Sequence, residues 1–233
     1  MIVSINQPAY LPWLGYFARI AVSDVHVVLD SVQFEKNSFV NRNRVRTAAG
    51  ETWLTVPVLT AGKFGELEIS GLEIDAAANW RRKHWQTLRQ SYAAAPYFAE
   101  HEPFFASVYE QPWPRLVELC AEVTGYVLGA FEIETRIVRS SDLSPSGAKD
   151  ALVLDLCRIT GATTYLSGPL GRDYLREELF EQAGIGLSYQ EYRHPVYAQL
   201  RDPFIPFMAA VDLLFMHGPG ARTILLEGQD IPG

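Results

Sequence analysis

A mostly parallel α/β sheet flanked by helices, built from Rossmann-like βαβ units, is the fold class this 233-residue sequence predicts, and three observations lead to it. Two short runs near the start, IVSIN (2–6) and VHVVLD (25–30), are apolar, and the second is β-branched and continuous, as in strands covered on both faces. The second half alternates strand-like and helix-like segments with short glycine turns, the mark of right-handed crossovers. Apolar residues make up 48 % and charged residues 20 %, so a chain of this length can bury a core without disulfides or a structural metal.

Taken in order, the first strand (2–6) runs through a Pro/Tyr/Pro turn into an apolar helix over 13–22, and residues 25–30 return as a strand. Residues 52–58 alternate with period two, and 62–74 read as a hairpin or edge piece, giving a small hairpin-bearing insertion around 45–75. Asn79 can cap a helix over 80–94 that stops before Pro96, and further helices are expected over 103–109 and 115–128. Residues 131–139 alternate as a strand, and 150–160 form a helix closed by Gly161. A strand over 163–167, a Gly-Pro-Leu-Gly turn, a helix over 173–183 capped by Gly184, and a strand over 185–192 complete the pattern. There is no repeat, low-complexity tract or linker, so one domain over 1–233 is expected.

Composition narrows function. Two cysteines, Cys120 and Cys157, cannot make a disulfide framework or a four-thiolate zinc site, and both fall in apolar helical patterns where a thiol is inert. No His/Cys/Asp/Glu spacing matches a metal site. No GxSxG elbow or GxGxxG fingerprint is present, which disfavours hydrolases and dinucleotide oxidoreductases. No apolar run approaches 18 residues and the N-terminus lacks a signal-peptide pattern, so no membrane insertion and a cytoplasmic location are expected. The net charge of −7 argues against nucleic acid as a partner. Residues 31–90 nevertheless carry +3 and the rest −10, a distribution suited to a small anionic ligand, although solvated surfaces would look the same.

Several segments resemble one known family: NQPAYLPWLGYF (6–17), LDSVQFEKNSFVNRNRV (29–45), WLTVPV (53–58), KHWQTLRQSYAAAPYF (83–98), LCRITGATTYLSGPLGRDYL (156–175), YQEYRHPVYAQ (189–199) and FIPFMAAVDLLF (204–215). Spanning nearly the whole chain, they resemble the WbqC-like proteins of bacteria, often encoded among surface-polysaccharide and nucleotide-sugar genes. The family commonly has Asn after its Asp-Leu-Leu-Phe; here Met216-His217 follows, so any role of that Asn is not carried over. The resemblance implies decoration of a nucleotide-linked amino sugar, with an acyl or aminoacyl group such as glycyl placed on the sugar amine. It brings no catalytic assignment.

In a parallel sheet, ligands lie at the carboxyl ends of the strands, which selects the candidates. Gln7, Tyr10, Trp13 and Tyr16 follow the first strand and open a helix, where they face a ligand or form a packed aromatic turn. The layout is similar to that of adenylate-forming nucleotidyltransferases, which slightly favours ATP as a cofactor. Trp13 and Tyr16 stand where their two histidines would be, which counts against it. Asp30, Gln33, Lys36, Asn41, Arg42 and Asn43 form a dense polar run after a buried strand, able to bind phosphate or carboxylate or to make turn bonds. Ser167, Gly168, Gly171 and Tyr174 lie in a strand-to-helix turn that could cradle phosphate or simply be tight. Lys149 precedes a helix start, where an anionic ligand or plain exposure would balance its charge.

Two histidines are acid–base candidates. His194, followed by Pro195 and with Gln199 nearby, ends the last strand and is the better placed for the amine's proton. His84 shares a helix face with Trp80, Leu88 and Tyr92, as a core histidine would. Two functional classes remain open: an acyl- or aminoacyltransferase or amide-forming ligase, and a non-catalytic nucleotide-sugar binding protein that supports a partner enzyme.

Overall fold

The computed structural model describes residues 1–60 and 67–229. Five strands, β1 (Ile2–Asn6), β2 (Val25–Val28), β5 (Arg136–Arg139), β6 (Thr164–Ser167) and β7 (Gly186–Tyr189), form one parallel sheet in the order β5-β2-β1-β6-β7. A separate antiparallel hairpin pairs β3 (Arg42–Thr47) with β4 (Gly50–Thr55). The helices are α1 (Leu14–Ala21), α2 (Trp80–Tyr92), α3 (Phe98–Glu110), α4 (Leu116–Ala130), α5 (Ser140–Leu143), α6 (Asp150–Thr160), α7 (Glu177–Gln182), α8 (Val211–His217) and α9 (Ala221–Glu227).

The strand order carries the functional geometry. From β1 the chain steps outward to β2 and then to β5 at one edge. It next crosses back to β6 on the other side of β1 and ends the sheet at β7. The direction of winding therefore reverses between β1 and β6, where crossovers diverge and leave a crevice.

Two cores sandwich the sheet. Val3, Ile5, Val25 and Val27 pack on Leu152, Leu156, Cys157 and Phe180 of α6 and α7. On the other side, Tyr16, Phe17 and Ile20 of α1 join the larger core of the hairpin and helices α2–α4, α8 and α9.

The predicted fold class holds, with local differences. The segment between β2 and β5 is far larger than the predicted 45–75 insertion, holding the hairpin and three helices. The hairpin falls at 42–55, with Gly50 at φ 119° closing the turn, so the polar run at Asn41–Asn43 is largely strand rather than loop. Of the segment read as hairpin or edge, residues 61–66 lie outside the described residues, and 69–71 form a 3-10 turn. The predicted strand over 131–139 shortens to β5 because Glu132 takes φ 53° and Phe131 and Ile133 turn into the core. α3 starts earlier than expected and tolerates Pro103, which lies on its exposed side. The glycine stops hold: Gly161 and Gly184 have φ 74° and 69°.

Candidate functional site

At the point where winding reverses, β1 ends in Asn6-Gln7 and β6 ends in Ser167-Gly168, and the crevice between them has a volume of about 800 Å³. Its walls are the 167–172 turn after β6, the Gln190–Arg193 segment after β7, Trp13 and Gly15 at the start of α1, and Phe207. The turn is tight for a steric reason. A β-carbon on Gly168 would collide with the Arg19 guanidinium, and one on Gly171 with Ser167 Oγ, so any larger residue would force those side chains to move. Gln190 anchors the opposite wall by donating from Nε2 to Gly15 O (3.0 Å) and to Gln229 Oε1 (2.7 Å).

Three arginines (Arg19, Arg172, Arg193) and one carboxylate (Glu191) line the crevice, a positive site on a negatively charged chain. Glu191 is already engaged by Arg172 Nη2 at 2.9 Å. Arg19 is 4 % exposed, and burial pulls its pKa below the ordinary arginine value. Aromatic rings form the rim: Trp13 is half-buried, while Tyr174 and Phe207 are about half-exposed, at 50 % and 52 %.

Of the residues singled out from sequence, the crevice gathers Gln7, Trp13, Ser167, Gly168, Gly171 and Tyr174. The others lie elsewhere. Asp30 is buried beside the β5–α5 junction, accepting from Arg139 Nε (3.0 Å), Ser140 Oγ (3.0 Å), Ser141 N–H (2.9 Å) and Ser141 Oγ (2.9 Å). Asn43 donates to Leu11 O and clamps the turn where Leu11 has φ 49°. Asn41 donates to Val56 O, Gln33 accepts from Leu67 N–H, and Arg42 grips Asn37 while lying 4.5 Å above the Trp53 ring. Lys36 and Lys149 are exposed. Lys149 is the N-cap residue of α6, and Asp150 in the first turn pairs with Arg176. Gln199 is spent on Ile205 backbone and Asp212.

Tyr10 is wholly buried in a chain of hydroxyl and imidazole groups with Tyr109 and His84. Burial pushes His84 down to about 4, so it is neutral core structure near pH 7. Tyr16 lines a second, largely apolar cavity of about 450 Å³ between α4 and the ends of β2 and β5. Cys157 is pushed up to about 12 by burial and Cys120 is raised further, which makes both thiols inert.

His194 sits just behind the crevice wall. Its ring centroid is 4.9 Å from that of Phe207, and Nε2 accepts the Phe207 N–H at 3.1 Å. Nδ1 lies 2.9 Å from Pro195 O, a contact that needs its proton, so the ring is neutral with both nitrogens engaged. Burial lowers its pKa.

Sequence reasoning passed over Arg19, Gln190 and Phe207 in the crevice and Asp212 beneath it. Arg19 had a usable signal: it is the one charged side chain in the first 23 residues.

With the geometry in place, the WbqC-like protein family model matches residues 7–224, from the end of β1 into α9. The chain belongs to the WbqC-like protein family. This WbqC-like chain is also 35 % identical over 225 residues to "Uncharacterized protein Rv1507c" of Mycobacterium tuberculosis (strain ATCC 25618 / H37Rv), covering 96 % of each. No solved structure matches it. Among the described residues, no helix of this family member is long and apolar enough to cross a membrane, and no cluster of His, Cys, Asp and Glu could hold a metal ion.

Proposed function

We propose that this WbqC-like chain transfers an acyl or aminoacyl group, such as glycyl, to the amine of a nucleotide-linked amino sugar in bacterial surface-polysaccharide synthesis. The observation that carries the reading is the positively lined crevice at the reversal of strand order, where open α/β sheets bind phosphate-bearing small molecules. In the reaction the sugar nitrogen forms a bond to the acyl carbonyl carbon, the donor's leaving group departs with its electron pair, and the nitrogen loses a proton. His194 is the candidate to take that proton. To do so, Nε2 must release the Phe207 amide, which a ligand pressing on the crevice wall would promote. Trp13 lines the crevice and Tyr16 the core, and neither offers the imidazole that adenylating enzymes use, which supports a donor that arrives already activated.

A second reading is favoured by the engagement of both His194 nitrogens: a binding protein that presents a nucleotide sugar to a partner enzyme. The two separate in one experiment. Wild type and His194→Ala are screened for binding and turnover with UDP- and dTDP-linked amino sugars and activated acyl donors. Binding retained and turnover lost in the variant supports the transferase; binding with no turnover even in wild type supports the binding protein.

A further inference from the structure

The fold buries Arg19 in the last turn of α1 and extends its guanidinium to Gly168, at the floor of the crevice. A buried cation is ordinarily met by a carboxylate or a set of carbonyls, because water cannot solvate it. Arg46 shows the ordinary solution: equally buried, it donates to the carbonyls of Thr47, Gly50, Arg201, Asp202 and Pro203. Arg19 has nothing comparable. Among the described residues no carboxylate pairs with it, its Nε is buried without a hydrogen-bond partner, and its polar neighbours are the phenols of Tyr16, Tyr165 and Tyr174 and the imidazole of His26. The protein thus keeps a guanidinium that is only 4 % exposed in the wall of a cavity, with no protein carboxylate or carbonyl set to compensate it.

We infer that Arg19 seats the anionic phosphate of the ligand, with Ser167 beside it and the phosphate lying deepest in the crevice. A guanidinium fork grips a phosphate with two parallel hydrogen bonds, and low local dielectric strengthens them. A side chain at Gly168 would displace the fork from this position. This inference rests on the phosphate-bearing ligand proposed above and adds its orientation. With the phosphate at Arg19, the ring-bearing end of the ligand lies outward against Trp13 and Phe207. That is the side on which His194 stands and on which a sugar amine would have to react.

The test compares wild type, Arg19→Met and Arg19→Lys at low ionic strength, by thermal shift and calorimetry, with pyrophosphate, UDP, uridine and acetate as probes. Wild type should bind pyrophosphate and UDP, and Arg19→Met should weaken both by about 30-fold or more, the usual effect of truncating a buried charge partner. Arg19→Lys keeps the charge without the fork and should fall between. Without ligand, Arg19→Met should melt at the same temperature as wild type or higher, because an unpaired buried charge has been removed. A merely structural arginine would lower it.

Equal affinity of wild type and Arg19→Met for pyrophosphate overturns the inference, as does binding of uridine as tight as UDP. Binding of acetate but not pyrophosphate replaces the phosphate with a carboxylate and overturns it too. If Arg19→Met does not fold, undiminished pyrophosphate binding by Arg19→Lys is the overturning result. Pyrophosphate binding that depends on Arg19, with no turnover of any nucleotide-linked amino sugar, would defeat the transferase reading and leave this assignment standing.

Discussion

Tyr197 donates its hydroxyl to the Asp212 carboxylate across 2.9 Å, tying the segment that carries His194 and Phe207 to the buried helix α8. Tyr92 donates to the other oxygen at 2.8 Å, and Gln199 Nε2 adds a third donor at 3.0 Å. Burial raises the Asp212 pKa, and the three donors oppose that rise. Removing the carboxylate takes the acceptor from both buried phenols and one of two acceptors from Gln199 Nε2, whereas removing one hydroxyl loses a single bond. Asp212→Ala should therefore cost about 3–5 kcal/mol and Tyr197→Phe about 1.5–3 kcal/mol. Urea unfolding of both variants checks this, and a smaller loss for Asp212→Ala than for Tyr197→Phe would break the argument.

Acid should unfold this protein early. His26 is wholly buried, with Nδ1 2.8 Å from Ser4 Oγ, and burial pushes it down to about 3; His84 is pushed down to about 4. In the unfolded chain both titrate near 6.5. Native pKa values below the unfolded one mean that the unfolded state takes up protons first. The stability is complete above pH 6.5 and lost as pH falls, approaching about 2.7 kcal/mol per pH unit for the two histidines between pH 5.5 and 4.5. Urea melts from pH 7 to 4.5 measure the slope, and a His84→Gln variant should lose one proton's share. A flat profile would mean that these rings are not buried neutral.

What the sequence revealed and concealed follows from how local each signal is. Gly161 and Gly184 punctuate the second half because a left-handed residue after a helix is a local demand, and those βαβ units were legible. Ser167, Gly168 and Gly171 were legible for the same reason. The run from Asp30 to Asn43 looked like a binding loop because satisfied and ligand-seeking polar side chains are spelled alike. Only tertiary structure shows Asp30 spent on Ser140 and Ser141 and Asn43 spent on Leu11. α8 stayed hidden because Asp212 interrupts an apolar run, and its partners come from distant α2 and from the irregular segment that precedes α8. Arg19 hid in the opposite way, as one charge in an apolar helix whose significance is the partner it lacks.

Asp30 has a structural role that its sequence position disguises. It joins the end of β2 to the β5–α5 junction through Arg139, Ser140 and Ser141, about 110 residues away. Its carboxylate is enclosed, so Asp30→Ala leaves several donors without an acceptor and should cost about 3–5 kcal/mol. The loss should appear in stability and not in ligand affinity. Pyrophosphate titration of the folded variant should match wild type, and a selective loss of affinity would return Asp30 to the binding site.

The glycines divide by what surrounds them, which gives a prediction of opposite signs. A β-carbon at Gly171 meets Ser167 Oγ and Leu175, and overpacking of this kind costs about 1–3 kcal/mol. Gly171→Ala should destabilise by that amount and also weaken pyrophosphate binding, because Ser167 must move. Gly125 lies within α4 with ordinary helical backbone and nothing near its absent β-carbon. Gly125→Ala should stabilise by about 0.5–1 kcal/mol, since it reduces the freedom of the unfolded chain and adds helix propensity at no steric cost. Thermal melts of both alanine variants decide it. Loss of stability in Gly125→Ala would show that the exposed side of α4 closes on something in solution, and an unchanged Gly171→Ala would show that the turn beside Ser167 has room to yield.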